Sequence, residues 1–272
     1  MRNKNITTMV ECAIMVALAT VLSILKLVDM PYGGSVTLAA MLPVAIVAYR
    51  HGIKYGMSTA LVASLLQLLL GIENFSYVTG WQSYIALAVF DYLIAYLAFG
   101  LGGIFKQWIS SPALSLTAGA TLSNLIRYVC HVISGATVWA GLPVPDGAAL
   151  VYSLSYNATY MIPETIVMAL CAIYLGSAID FSAPIPRRKR SERVDALSGY
   201  CYMGAGLVAL AGLITDTALI FSKLQDSESG EFALAGLSSV NWTAFVIVTA
   251  VFALVAGVLL LIPRYVTAKG KK

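Results

Sequence analysis

Charge is scarce in this sequence: 17 Lys and Arg and 13 Asp and Glu stand among 272 residues. At 11% charged, it falls well below the roughly 25% of a soluble globular domain, and that deficit excludes a water-exposed fold. Histidine occurs twice, at His51 and His131, with no His-Glu-x-x-His to hold a catalytic zinc. There is no Gly-x-Ser-x-Gly either, so an intramembrane hydrolase would lack its nucleophile motif, and the chain reads as no enzyme. A Walker Gly-x-x-x-x-Gly-Lys-Ser/Thr is missing too, and any ATP hydrolysis must come from a partner. The four cysteines, Cys12, Cys130, Cys171 and Cys201, lie far apart inside apolar segments and read as small buried hydrophobes. Nothing in the pattern calls for a cofactor.

What fills the chain instead is apolar: 59% of residues, arranged in blocks of about twenty. A helix rising about 1.5 Å per residue needs that length to cross about 30 Å of hydrocarbon, and lipid leaves no other partner for backbone polar groups. The expectation is an all-α integral membrane protein with eight spans, near 6–27, 36–50, 54–72, 78–105, 112–135, 149–178, 197–222 and 240–263. The first is read as a retained helix, because no small-residue cleavage site precedes Tyr32. With the N-terminus in the cytoplasm, Arg50, Lys54, Lys106, the Arg187-Arg188-Lys189-Arg190 run and the C-terminal lysines share one side. Asp29, Glu73, Asp146 and Glu228 fall on the other, so the positive-inside rule predicts both termini in the cytoplasm. The basic run follows Ala183-Pro184-Ile185-Pro186 and reads as a topology anchor or anionic-lipid contact, not a nucleic-acid patch. It divides a core over 1–182 from a cytoplasmic linker over 183–196 and a two-helix membrane extension over 197–272.

Ionisable groups deep in a span are functional candidates by default. Asp91 lies about mid-way through the fourth span. His131 and Arg127 sit one turn apart on one face of the fifth. Tyr152, Tyr156, Asn157 and Tyr160 open the sixth, Trp139 precedes it, and Trp81 opens the fourth. Two readings stand for several of these. Trp81 and Trp139 are either an interfacial aromatic belt or ligand contacts. Asp91 either pairs with Arg127 or meets a ligand, and Glu164 is a second candidate partner for Arg127. Glu11 is read as snorkelling from the first helix. Tyr152 and Asn157 lie about 140° apart on an ideal helix, so a shared pocket asks for width or for a distortion at Pro163. A carboxylate, a histidine, aromatic faces and an amide suit a small flat cation such as thiamine, a thiazolium joined to an aminopyrimidine.

At these same residues the sequence resembles the thiamine-specific S-component of energy-coupling factor transporters, the ThiT family. The resemblance covers about residues 8–180. It is carried by Tyr32-Gly33, Met41-Leu42-Pro43, Arg50-His51-Gly52, Phe90-Asp91-Tyr92, His131-Val132-Ile133-Ser134-Gly135, Trp139 and Tyr152-Ser153-Leu154 with Asn157. It implies a six-helix vitamin receptor, here with two extra C-terminal helices, that binds thiamine and joins a T-component and two ATP-binding subunits. Trp139 and His131 would flank the thiazolium, Asp91 would stand at the family's acidic position, Tyr152 and Asn157 would hold the pyrimidine, and Tyr92 would add a polar contact. Ala13 and Ala17 would lie on the face that docks on the scaffold. Two departures stand out: Asp91 where the family has Glu, and Gly34 where it has a stacking Trp. One aromatic wall is then either missing or supplied by another residue such as Trp81 or Tyr77, and a close analogue of thiamine or its pyrimidine precursor stands as an alternative ligand. The rival reading is a proton-coupled secondary transporter using Asp91, Arg127 and His131, but the inverted repeats that would support one are not found.

Overall fold

The structure, a computed structural model, describes residues 4–30, 33–139, 141, 147–189, 196–224 and 234–269. Tyr32, Asp146, Glu228, Arg190 and the last two lysines lie outside them. The chain divides into two compact units, Met1–Arg188 and Lys189–Lys272.

In the first unit, α1 (Lys4–Ile24) runs into an antiparallel hairpin of β1 (Lys26–Asp29) and β2 (Ser35–Thr37). The segment expected to be a second span is not one. Strand β2 occupies its start, and α2 (Leu42–His51) is only 10 residues long, roughly 15 Å and half a hydrocarbon core. Apolar residues on every side keep it inside the protein: Leu42 through Tyr49 are all buried. Pro43 at its first turn suits a free N-terminus, and Gly52, with φ of 86°, reverses the chain directly into α3 (Ile53–Leu70).

A 3-10 segment (Ile72–Tyr77) leads to the fourth helical column. This column is not a uniform α-helix: α4 (Trp81–Leu87) passes into a π-helical stretch (Ala88–Ile94), then α5 (Ala95–Leu97) and a 3-10 turn (Ala98–Leu101). Next, α6 (Pro112–Ser134) is capped by Ser111, whose hydroxyl accepts from the Leu114 N–H, and ends in a second π-helical stretch (Gly135–Trp139). The long α7 (Gly147–Ala178) stays helical through Pro163. Leu42, Ala45, Phe99, Leu116, Ala120, Met168 and Ala172 from four of these columns form the apolar core.

Arg50 closes one end of this unit. Its guanidinium binds both oxygens of Glu11 and donates to the carbonyls of Phe181 and Ala183. Glu11 therefore does not snorkel; a partner one helix away captures it. Strands β3 (Ile179–Asp180) and β4 (Arg187–Arg188) pair just beyond, so the Pro-rich stretch expected to open a linker folds back on the core as far as Arg188.

In the second unit α8 (Ala196–Leu224) packs antiparallel to α9 (Trp242–Lys269), Gly212 against Phe252. Asp216 Oδ2 accepts from Thr249 Oγ1 at 2.8 Å, which ties the pair together. Among the described residues, six helical segments are long and apolar enough to cross a membrane, two of them in this unit. In the first unit α6 is also long enough, at 23 residues; its Ser115, Ser123, Asn124 and Arg127 are buried against its neighbours.

Candidate functional site

At the end of the first unit opposite Arg50, where α3 stops, α6 stops and α7 begins, lies a cavity of about 300 Å³, at the lower end of the range for small-molecule sites. The β1–β2 hairpin contributes Gly33, Gly34 and Ser35 to its wall. Asp91, Tyr92, His131, Trp139, Tyr152 and Asn157 all line it.

Asp91 is 7% exposed and sits in the first π-helical stretch. Its Oδ1 lies 2.9 Å from His131 Nδ1, and its Oδ2 accepts from Ser134 Oγ at 3.0 Å and Trp139 Nε1 at 2.9 Å. Trp139 in turn belongs to the second π-helical stretch. A π-turn inserts one residue into the helical repeat and redirects the side chains around it, which is why such turns recur at functional sites. Here the two π-helical stretches bring a carboxylate and an indole N–H together across 48 residues of sequence.

Geometry selects the partner of Arg127. Arg127 Nη1 donates to Glu164 Oε2 at 2.7 Å, and Glu164 Oε1 accepts from Thr37 Oγ1 at 2.6 Å. Glu164 is the partner of Arg127. Among the described residues no lysine or arginine pairs with Asp91, whose buried carboxylate is held by hydrogen bonds from His131, Ser134 and Trp139. An anion desolvated in this way attracts a cation strongly.

On α7, residues four apart stack as the helical repeat requires. The Tyr152 and Tyr156 rings lie 6.4 Å apart at 1°, and Tyr156 meets Tyr160 edge-on at 5.7 Å. Asn157 reaches the same cavity, so the 140° offset from Tyr152 is absorbed by the cavity's width. Its Nδ2 donates to Ser153 O and Ser153 Oγ, and its Oδ1 accepts from Tyr160; a second lone pair on Oδ1 remains for a ligand. The Tyr92 hydroxyl donates to Gly71 O and accepts from Asn74 Nδ2. Tyr92 lines the cavity, and its hydroxyl is engaged by Gly71 and Asn74, which line it too.

Two expectations fail. Trp81 does not line the cavity: it opens α4 with 67% of its surface exposed. Nor does Tyr77 stand in at Gly34; it lies outside the lining and packs 5.9 Å from Trp139. The space a side chain at position 34 would need is filled from α7. A Cβ there would come within 2.8 Å of Tyr156 Oη and 3.0 Å of the Tyr160 ring, and the Gly34 N–H donates to Tyr156 Oη at 3.3 Å. Tyr156 and Tyr160 are thus site residues that the sequence placed on the right helix but gave no role. Their signal was the 152, 156, 160 spacing. Gly34→Ala is expected to destabilise the unit by about 1–3 kcal/mol through overpacking, and Tyr156→Phe, which removes the nearest clashing atom, to recover part of that in the double variant. Thermal melting of the three variants checks this; a double variant no more stable than Gly34→Ala would place the collision elsewhere.

Comparison with known proteins follows the same boundaries. A family described as "Thiamine transporter protein (Thia_YuaJ)" matches residues 9–181. Thiamine transporter ThiT of Bacillus subtilis (strain 168) is 34% identical over 188 residues, covering 64% of this chain and 93% of that protein. A solved structure of ThiT from Listeria monocytogenes matches the fold with a TM-score of 0.50 at 23% identity, over 64% of this chain and 95% of the other.

Proposed function

Since this chain belongs to the thiamine transporter family, we propose that it is the substrate-binding membrane subunit of an energy-coupling factor importer, capturing thiamine outside the cell for release inside. The observation that carries the reading is Asp91: a buried carboxylate without a Lys or Arg partner among the described residues, in a cavity walled by aromatic rings. A thiazolium ring between Trp139 and His131 would place its positive charge beside Asp91. An indole face and a carboxylate both favour that charge, and exclusion of water strengthens both. The aminopyrimidine would then lie along Tyr152, with its amino group donating to the open lone pair of Asn157 Oδ1.

The chain has no nucleotide-binding motif of its own, so in this reading the energy comes from two ATP-binding subunits through a T-component. Ala13 and Ala17 are exposed on α1 and offer a small-residue face on which a scaffold helix can pack closely. The charge pattern favours a multi-pass protein of the bacterial cell membrane with both termini in the cytoplasm.

Titration of the purified full chain with thiamine, read by tryptophan fluorescence, tests this. Saturable quenching is expected. Trp139→Ala should abolish most of the quenching and weaken binding, measured by calorimetry, by about 10- to 100-fold, the loss of one cation–π face and its hydrogen bond. No response to thiamine from the wild-type protein would overturn the reading.

A further inference from the structure

Behind Asp91 the buried polar groups form one continuous chain. Thr37 Oγ1 donates to Glu164, Glu164 accepts from Arg127 Nη1, and Arg127 Nε donates to His131 Nε2 at 3.2 Å. His131 Nδ1 then lies 2.9 Å from Asp91 Oδ1. A guanidinium has only donors. The His131 nitrogen that faces it must present a lone pair, so the ring's single proton sits on Nδ1 and is donated to Asp91. A second proton, on Nε2, would point at the Arg127 N–H.

We propose that Arg127 is a positioning residue for cation binding: it fixes His131 as the neutral Nδ1–H tautomer, so that Asp91 is held by neutral donors and keeps its charge for the ligand. This rests on the receptor reading above and adds the device that keeps the site from neutralising itself. Were His131 an imidazolium, it and Asp91 would form an internal ion pair, and an incoming cation would have to displace it. Arg127 prevents this without pairing with Asp91. Its own charge is met by Glu164, and its guanidinium carbon lies 4.8 Å from the centre of the Tyr96 ring.

The titratable groups around His131 come from three elements. Asp91 and Tyr96 belong to the fourth column, Arg127 and Cys130 to its own helix, and Tyr160 and Glu164 to α7. Glu73 and Lys26 line the same cavity, Lys26 bound to Asp29 at 2.9 Å. With Glu164 engaged by Arg127 and Thr37, Asp91 is the carboxylate in hydrogen-bond contact with the ring, and Arg127 is the group that keeps a second proton off it.

The chain has two histidines, so the full protein labelled with ¹⁵N-histidine gives two sets of imidazole signals, which His51→Gln assigns. The His131 signals are expected to show the neutral Nδ1–H tautomer at both pH 7.5 and pH 5.5, with thiamine affinity changing less than about twofold between them. Arg127→Met combined with Glu164→Gln removes the donor and its counter-charge together. In that variant the tautomer should no longer be fixed, imidazolium should grow in at pH 5.5, and affinity should fall about fivefold or more on acidification. Arg127→Lys, which keeps a donor, should restore the wild-type signals.

A wild-type His131 found as the Nε2–H form or as imidazolium at pH 7.5 would overturn the proposal, as would a double variant with wild-type signals at both pH values. The tautomer is read without ligand, so failure of the protein to bind thiamine would count against the receptor reading alone. Should the double variant not fold, the wild-type and Arg127→Lys spectra still decide.

Discussion

Asp91→Asn is expected to weaken thiamine binding by about 30-fold or more. Removing one partner of a desolvated charge pair costs about 2–5 kcal/mol, and each 1.4 kcal/mol is tenfold in affinity. The substitution keeps the size of the side chain but changes two things. It deletes the negative charge that a thiazolium would meet, and it turns one acceptor oxygen into an NH₂ group. All three groups bound to Asp91, namely His131 Nδ1–H, Ser134 O–H and Trp139 N–H, are donors, so at least one of them faces another donor in the variant. Asp91→Glu separates the two effects: it retains the charge on a longer stem and should lose far less affinity. Calorimetric titration of both variants, with their melting temperatures measured without ligand, checks the result. Affinity within threefold of wild type in Asp91→Asn would make Asp91 a structural acceptor for Trp139 and Ser134, and thiamine's charge would have to be met elsewhere.

The parts of the site legible in the sequence were those set by local periodicity or by the penalty of placing charge in lipid. Arg127 and His131 stand four apart on one helix, and their contact follows from the helical repeat alone. Asp91 announced itself because an acid in an apolar run needs a reason. The choice of partner for Arg127 was a different matter. Asp91 lies 36 residues before it and Glu164 37 residues after, and nothing in the spacing distinguishes the two. The choice belongs to the packing of α6 against α7 and to Thr37, which reaches Glu164 from the hairpin. The π-helical stretches carry no sequence signature, so the direction in which Asp91 and Trp139 point could not be read. The buried α2 was mistaken for a span because an apolar run wrapped by protein and one wrapped by lipid have the same composition; only its length tells them apart. Gly34 shows the converse: the absence of a side chain was legible in the sequence, and only the structure shows that Tyr156 and Tyr160 occupy the space.

Glu164→Ala is expected to destabilise the first unit by about 3–5 kcal/mol, because it leaves the buried guanidinium of Arg127 without its counter-ion. For a unit of this size that corresponds to roughly 6–20 °C in melting temperature. The loss has a second component. Thr37 donates its hydroxyl to Glu164, so the carboxylate also anchors β2, and with it the hairpin that walls the cavity. Glu164→Gln keeps an acceptor for Arg127 and a partner for Thr37 while removing the charge, and should lie between the two. If the ordering of the three proteins is wild type, Gln, Ala, both the ion pair and the hairpin anchor contribute. If Gln falls as low as Ala, the charge alone matters. A Glu164→Ala melting point within 3 °C of wild type would mean that Arg127 finds another anion, and Asp91 is the other carboxylate in the same hydrogen-bonded chain. An Arg127–Asp91 pair would then meet the Asp91 charge from within the protein, and thiamine affinity should have dropped along with it.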